Sequence, residues 1–260
     1  MATVEVVEQM AVGDGLFSLR FRSPVDLRLA GAYHPGQFLH IRVSDSFDFL
    51  LRRPLSLCKA DVSRNELTVI YRAQGEGTKR LSRVRAGDQL DVLGPLGRGF
   101  PIHDGDRHAL LVAGGIGVPP MLELAHALKA RGQQVTAVLG FQNARHVILQ
   151  EELMAYGTVH IASDDGTVGT KGLVTDLLTD ALCTGVNRYY ACGPTPMLRA
   201  VQAAMQGCSV PGYLSLEERM GCGIGICVGC VHPIRRGGDV KQVKTCKEGP
   251  VFSSEEVVFT

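Results

Sequence analysis

Apolar and polar positions alternate with a period of two through the first hundred or so residues. Phe17, Leu19 and Phe21 are interleaved with Ser18, Arg20 and Arg22, and Leu39, Ile41 and Val43 with His40 and Arg42. Leu67, Val69 and Tyr71 repeat the pattern. Alternation of this kind turns every second side chain to a core face, and with turn segments such as AYHPGQ between the runs it predicts an antiparallel barrel. TKRLSRV, just after Gly77, reads as a short helix. From about residue 106 the rhythm changes. His108–Ala113 is a continuous apolar run ending in GGIGVPP, and Met121, Leu124, Ala125 and Leu128 then follow at helical spacing. Val135–Leu139 and Val159–Ala162 read as strands, and Leu173, Leu177 and Ala181 as a helix. Arg188–Ala191 is again strand-like, and Met197, Val201 and Ala204 are helical. Strands alternating with helices predict a parallel sheet covered by helices. The stretch GFPIHDGDR (99–107) has the glycine, proline and charge of a linker. Beyond about residue 217 the periodicity fades, so a metal centre rather than a hydrophobic core should order the chain there. Three units are expected: a barrel over 1–102, an α/β parallel-sheet domain over 103–216 and a small C-terminal module over 217–260.

Composition narrows the function classes. Apolar residues make up 45% and charged residues 20% of the 260, and the formal charge is +1. That is an ordinary globular balance, with no basic surface to argue for nucleic acid. RRGG (235–238) reads as a solvated hairpin turn. No run approaches the length of a membrane span. The N-terminus, MATVEVVEQM, has no basic region followed by an apolar stretch, so a cytoplasmic location is expected, where eight cysteines do not form a disulfide framework. No internal repeat or low-complexity segment is present.

The candidate chemistry begins with CGIGICVGC (222–230). Cys222, Cys227 and Cys230 give C-x4-C-x2-C, with Cys246 following after fifteen intervening residues. This is the plant-type spacing of a [2Fe–2S] cluster. Structural zinc more often takes two short cysteine pairs, or cysteine and histidine pairs. A redox dithiol of Cys227 and Cys230 leaves Cys222 and Cys246 unexplained. Gly223, Gly225 and Gly229 let the backbone fold closely over a cluster. Cys58, Cys183 and Cys208 fall outside the pattern and read as core or surface residues. AGGIGVPPM (113–121) joins a buried strand to a helix, and such glycines let a phosphate-bearing ligand approach backbone amides, although this is not the GxGxxG fingerprint. In ASDDGTVGTKG (162–172), Asp164 and Asp165 read either as turn residues or as carboxylates accepting from a ribose 2′-hydroxyl. No arginine cluster stands nearby for a 2′-phosphate, which favours NAD over NADP. LRRPLSL (51–57), taken alone, is equally a strand end with solvated charges, and GT (77–78) a loop with a helix cap.

Together these segments resemble the ferredoxin reductase-like flavoproteins. RRPLS resembles that family's FAD signature, IYR followed by GT its second flavin segment, and GGIGVPP and CGP the two ends of its pyridine-nucleotide lobe. The resemblance implies FAD at Arg53, Pro54, Leu55, Ser56, Ile70, Tyr71, Arg72, Gly77 and Thr78. It places NAD, as a substrate, at Gly114, Gly115, Gly117, Asp164, Asp165, Cys192, Gly193 and Pro194. Arg53 suits pyrophosphate because a guanidinium fork matches phosphate oxygens and keeps its charge. Leu55 stands where many relatives carry Tyr or Phe. ERMGCGIGICVGC and CKEGPVF extend the resemblance over essentially the whole chain, to the electron-transfer subunits of class B, NAD-dependent dihydroorotate dehydrogenases. A flavin barrel, a nucleotide domain and a [2Fe–2S] module held by Cys222, Cys227, Cys230 and Cys246 are then implied. The implied partner is an FMN-containing dihydroorotate dehydrogenase catalytic subunit, in a heterotetramer of two of each chain. Electrons would pass from it through cluster and FAD to NAD⁺, with no acid–base catalyst in this chain. A reductase subunit of another complex (sulfhydrogenase, sulfite reductase or ferredoxin:NADP oxidoreductase type) shares these motifs. A zinc-stabilised binding module on a vestigial reductase fold is the alternative of another class.

Overall fold

The computed structural model describes residues 2–24, 29–44 and 47–259. Six strands, β1 (Ala2–Gly13), β2 (Leu16–Arg22), β3 (Phe38–Ile41), β4 (Arg53–Asp61), β5 (Glu66–Arg72) and, after the helix α1 (Glu76–Leu81), β6 (Gln89–Leu96), form the first half. They close into an antiparallel barrel in the order β1-β2-β5-β4-β3-β6. The expected alternation fills its core: Leu19, Phe21, Leu39, Ile41, Leu67 and Val69 are completely buried. Each is worth about 1.5–3 kcal/mol relative to exposure. The helix begins at Glu76, two residues ahead of the sequence reading, because the Thr78 hydroxyl accepts from the Gly75 N–H at 3.2 Å and closes the first turn.

In β3 the alternation fails as a guide to exposure. Leu39 and Ile41 point into the barrel as expected, yet Phe38 and His40 on its outer side are buried too. The C-terminal segment covers them, and a pattern that names the two faces of a strand cannot show what lies on the outer one.

The second half contains β7 (His108–Gly114), α2 (Pro119–Ala130), β8 (Gln134–Phe141), α3 (Gln150–Met154), β9 (Thr158–Ser163), β10 (Thr170–Lys171), α4 (Asp180–Cys183), β11 (Arg188–Cys192), α5 (Thr195–Gly207) and β12 (Gly212–Ser215). These strands run parallel. On α2 the expected Met121, Leu124, Ala125 and Leu128 are fully buried against the sheet. The helix expected from Leu173 through Ala181 is instead a single turn over Val174–Leu177 followed by α4. The Asp176 carboxylate caps the start of the first turn, accepting from Leu173 N–H at 2.8 Å, and the chain leaves the helical path at Leu178 before the Thr179 hydroxyl, accepting from Leu182 N–H at 3.3 Å, starts α4 afresh.

The C-terminal segment has more regular structure than its sequence rhythm indicates. A hairpin of β13 (Val231–Arg236) and β14 (Asp239–Lys244) turns on Gly237 and Gly238, both left-handed, at the RRGG turn expected from sequence. The short helix α6 (Thr245–Glu248) and β15 (Val251–Ser253) follow. β15 pairs antiparallel with β12 and becomes the seventh strand of the nucleotide-side sheet, in the order β10-β9-β8-β7-β11-β12-β15. Ile234 and Val243 of the hairpin are buried in the same core as Leu214, Val201 and Phe252. Two apolar residues in β15 and one buried apolar residue per hairpin strand are too short a signal to register as periodicity.

Candidate functional site

Strand register assembles the first part of the site. β3 and β4 pair Phe38 with Ser56, Leu39 with Leu55, His40 with Pro54 and Ile41 with Arg53. A cavity of about 250 Å³ opens beside this pair, lined by Pro54, Leu55 and Ser56 of β4 and by Ile70, Tyr71 and Arg72 of β5. Arg53 lies apart from its floor, with its guanidinium against the start of α1: a Cβ at Gly77 would sit 2.6 Å from Arg53 Cζ. Gly77 therefore leaves room for the guanidinium beside the N–H groups of the first helical turn, a combination that suits an anion. Thr78 turns its hydroxyl to the cap, also donating to Gly75 O at 3.0 Å.

A second cavity, about 490 Å³, lies at the carboxyl ends of β7, β8 and β9, lined by Gly114, Gly115, Asp164 and Pro194 among others. Arg72 and Ile116 border both cavities, so the two open onto a common wall. Arg72 Nε is buried without a hydrogen-bond partner, an orphaned donor of the kind a bound anion satisfies. Gly117 allows the β7–α2 turn to lie directly on the Cys192 carbonyl, where any Cβ would overlap it. Gly193 has φ 158°, with Met197 packed where a side chain would project.

The paired aspartates separate. Asp164 reaches the larger cavity, whereas Asp165 is an exposed turn residue whose carboxylate accepts from Thr167 N–H at 2.9 Å and Thr167 O–H at 2.7 Å. Those bonds hold its carboxyl below the usual range. Cys192 borders the smaller cavity, and burial pushes its thiol up to about 12, so it is a neutral group there. Sequence reasoning missed Gln142 and His146 in the larger cavity and Glu217 in the smaller. All three follow strand ends (β8 and β12), where ligands of open α/β sheets bind, and that rule could have found them. Glu217 is accessible through the cavity it lines, yet the protein packed around it raises its carboxyl by desolvation.

The four cysteines form the third part. Cys222 Sγ accepts from the N–H groups of Ile226 at 3.3 Å and Cys227 at 3.4 Å, and Cys230 Sγ accepts from Cys246 N–H at 3.4 Å. The Cys227 N–H is the foremost cause that draws the Cys222 thiol down to about 6. Burial, followed by the neighbouring Cys230, pushes Cys246 up to about 12. The thiols thus approach one another as two pairs, Cys222 with Cys227 and Cys230 with Cys246. Among the described residues no three Cys, His, Asp or Glu side chains converge as a single metal ion requires. Two pairs with N–H groups directed at sulfur fit a two-iron, anionic cluster. Gly223 (φ 72°) and Gly225 (φ 84°) carry the loop through left-handed turns, and a Cβ on Gly223 would stand 2.5 Å from His40 Nδ1.

The barrel supports this loop. Phe38 packs against Cys230 and Cys246, with Met220 alongside, and the same Phe38 lines the smaller cavity. On the opposite side Ile226 and Val228, 75% and 57% exposed, present an apolar surface to the outside.

Residues 217–258 match the family model described as the iron–sulfur cluster binding domain of dihydroorotate dehydrogenase B, and residues 111–203 match the oxidoreductase NAD-binding domain. The dihydroorotate dehydrogenase B (NAD(+)) electron transfer subunit of Geobacillus kaustophilus (strain HTA426) is 51% identical, with 86% of this chain and 87% of that protein covered. The subunit of the same name from Geobacillus thermodenitrificans (strain NG80-2) is 45% identical over 98% of this chain and 97% of its own length. Among solved structures, one from work on flavin-based electron bifurcation by an NADH-dependent reduced ferredoxin-NADP oxidoreductase superposes with a TM-score of 0.87. It is 29% identical and covers 99% of this chain and 90% of its own.

Proposed function

The chain belongs to the family of dihydroorotate dehydrogenase B (NAD(+)) electron transfer subunits, and from that premise we propose that it receives electrons at its cysteine loop and delivers them, across the barrel, to NAD⁺. The observation that carries this reading is the serial arrangement of the three parts. Phe38 stands between the cysteines and the smaller cavity, and Arg72 and Ile116 stand between the smaller cavity and the larger. The [2Fe–2S] cluster supplies one-electron transfer, and FAD supplies the conversion of two single electrons into a hydride for NAD⁺.

The protein's own residues orient these groups. Arg53, beside Gly77, takes the FAD pyrophosphate, while Pro54–Ser56 and Ile70–Arg72 flank the flavin ring. Pro54 has no N–H to offer, so the strand runs beside the ring with one donor fewer to satisfy. Gly114, Gly115, Gly117, Gly193 and Pro194 admit the nucleotide, and Asp164 accepts from its ribose 2′-hydroxyl. Cys222, Cys227, Cys230 and Cys246 would hold the cluster, with the N–H groups of Ile226 and Cys246 directed at Cys222 and Cys230 Sγ.

A partner catalytic subunit is implied by the relatives' name. We assign it as an FMN-containing dihydroorotate dehydrogenase, joined in a heterotetramer of two of each chain and docked over Ile226 and Val228. We place the complex in the cytoplasm, which the four free thiols outside the loop, Cys58, Cys183, Cys192 and Cys208, suit. No helix among the described residues is long and apolar enough to cross a membrane. The test is anaerobic isolation with the bound companion, followed by addition of dihydroorotate and NAD⁺. NADH formation that needs both chains supports the relay. Orotate formed by this chain alone, or no NADH from a fully loaded complex, would refute it.

A further inference from the structure

His40 is completely buried, and neither ring nitrogen makes a hydrogen bond of good geometry, the nearest polar neighbours of the ring being the backbone of Arg52 and Cys222. Leaving both nitrogens of a buried imidazole unpaired is unfavourable, and a Leu of similar size would fill the space without that cost. Its position gives a reason for a polar residue. On β3 it shares the outer side with Phe38, two residues away, so one strand presents two side chains to the cysteine segment. Phe38 meets Cys230 and Cys246, and His40 meets the other pair, at the backbone of Cys222 and Gly223. Gly223 is in a left-handed conformation with its missing Cβ aimed at His40 Nδ1, so the loop is shaped to receive the ring. Behind the ring lies the flavin-side strand: His40 is opposite Pro54, and its carbonyl accepts from Arg52 Nη1 at 3.4 Å. Arg52 is itself held by Asp91 at 2.5 Å, so the backbone under His40 is fixed.

We propose that His40 is a positioning residue for the cluster, its ring N–H directed at the Cys222 side of the cysteine loop so as to stabilise the extra negative charge of the reduced state. The proposal rests on the reading of the four cysteines as [2Fe–2S] ligands. One electron entering such a group adds one negative charge, and no bond of the chain breaks. A donor buried beside the loop that carries such a group, in a dry environment, favours the reduced form and raises the reduction potential. His40 thereby biases electron residence at the cluster while contributing no ligand.

The test is an EPR-monitored redox titration of the anaerobically purified holoprotein, wild type against His40→Leu and His40→Gln. The Leu variant should lower the cluster's reduction equilibrium constant about tenfold, a fall of ~59 mV for a one-electron couple. The Gln variant, which keeps a donor, should stay close to wild type. An unchanged potential in the Leu variant overturns the proposal, and so does an equal shift in both variants, which would mean packing alone. Should the Leu variant fail to load iron, pulsed EPR on the reduced wild type with ¹⁵N-labelled histidine decides. A histidine nitrogen coupling that disappears in the Gln variant supports the proposal, and its absence from the wild type overturns it. Wild-type protein without iron and sulfide would instead overturn the cluster assignment, and the role of His40 with it.

Discussion

Replacing Gly77 by Ala separates flavin affinity from folding. The residue is buried in α1 and its φ is not left-handed, so the backbone accommodates Ala without strain. Ala in a helix interior is favoured over Gly by about 0.5–1 kcal/mol. The new methyl group, however, would stand 2.6 Å from Arg53 Cζ, and closer still to the guanidinium nitrogens. A guanidinium is the far end of a flexible side chain and swings aside at little cost to stability. Its displacement would remove the proposed charge-assisted contact with the pyrophosphate, worth about 1.5–3 kcal/mol. FAD should therefore bind roughly 10- to 150-fold more weakly. The flavin-free protein should unfold at the wild-type denaturant midpoint or slightly above it. Flavin fluorescence titration of the apoprotein measures the first quantity, and urea unfolding of the same sample the second. A dissociation constant within twofold of wild type would refute the placement of Arg53 on the pyrophosphate. A loss of more than about 1 kcal/mol of stability would show that Arg53 is held rigidly and that the reasoning about its freedom is wrong.

Substituting Cys246 by Ser should abolish the EPR signal of the reduced cluster and most of the bound iron while leaving flavin content near wild type, since the residues proposed to bind FAD are unchanged and Ser keeps nearly the volume that packs on Phe38; metal and flavin analysis of one preparation checks both. Asp164→Ser should raise relative use of NADP⁺ by about tenfold, because the carboxylate that repels a 2′-phosphate is gone, whereas Asp165→Ser, on the exposed turn, should leave the preference unchanged; steady-state rates with each nucleotide compare them. Burial pushes the Cys58 thiol from an ordinary value near 9 up to about 12, so it stays protonated in the folded protein while the unfolded chain begins to lose the proton. Its contribution is intact below about pH 9 and falls by about 1.4 kcal/mol per pH unit between 9 and 12. Cys58→Ala should flatten that part of the alkaline limb in urea midpoints measured across this range.

What could be read in advance follows from the range over which each signal acts. Period-two alternation in β2 and β5 and helical spacing in α2 and α5 extend over whole elements, so they define the barrel and the sheet. The cysteine spacing likewise carries the candidate cluster site within one short segment. Signals that fail are those decided by a neighbour. His40 looks like a solvated strand residue because its cover arrives from residues 222–223. Asp164 and Asp165 are identical in type and adjacent, and only the turn through Thr167 determines which one faces the cavity. Leu173–Ala181 has helical spacing, but Thr179 offers a local cap in its middle that starts a second helix. Strand β15 is invisible because three residues carry no period and its partner, β12, lies some forty residues earlier in the chain.

That late strand bears on how the protein is made. Residues 2–96 contain every strand of the barrel, so the barrel can close while the ribosome is still translating the nucleotide lobe. The sheet cannot: its seventh strand, Val251–Ser253, pairs with β12 from more than thirty residues further along the chain, so it joins only after the rest of the lobe has been made. Cys246 lies in the same final stretch. If Cys246 is the fourth ligand as proposed, the cluster site is completed on a polypeptide whose barrel has already formed, and zipping β15 onto β12 draws the segment that carries Cys246 against it.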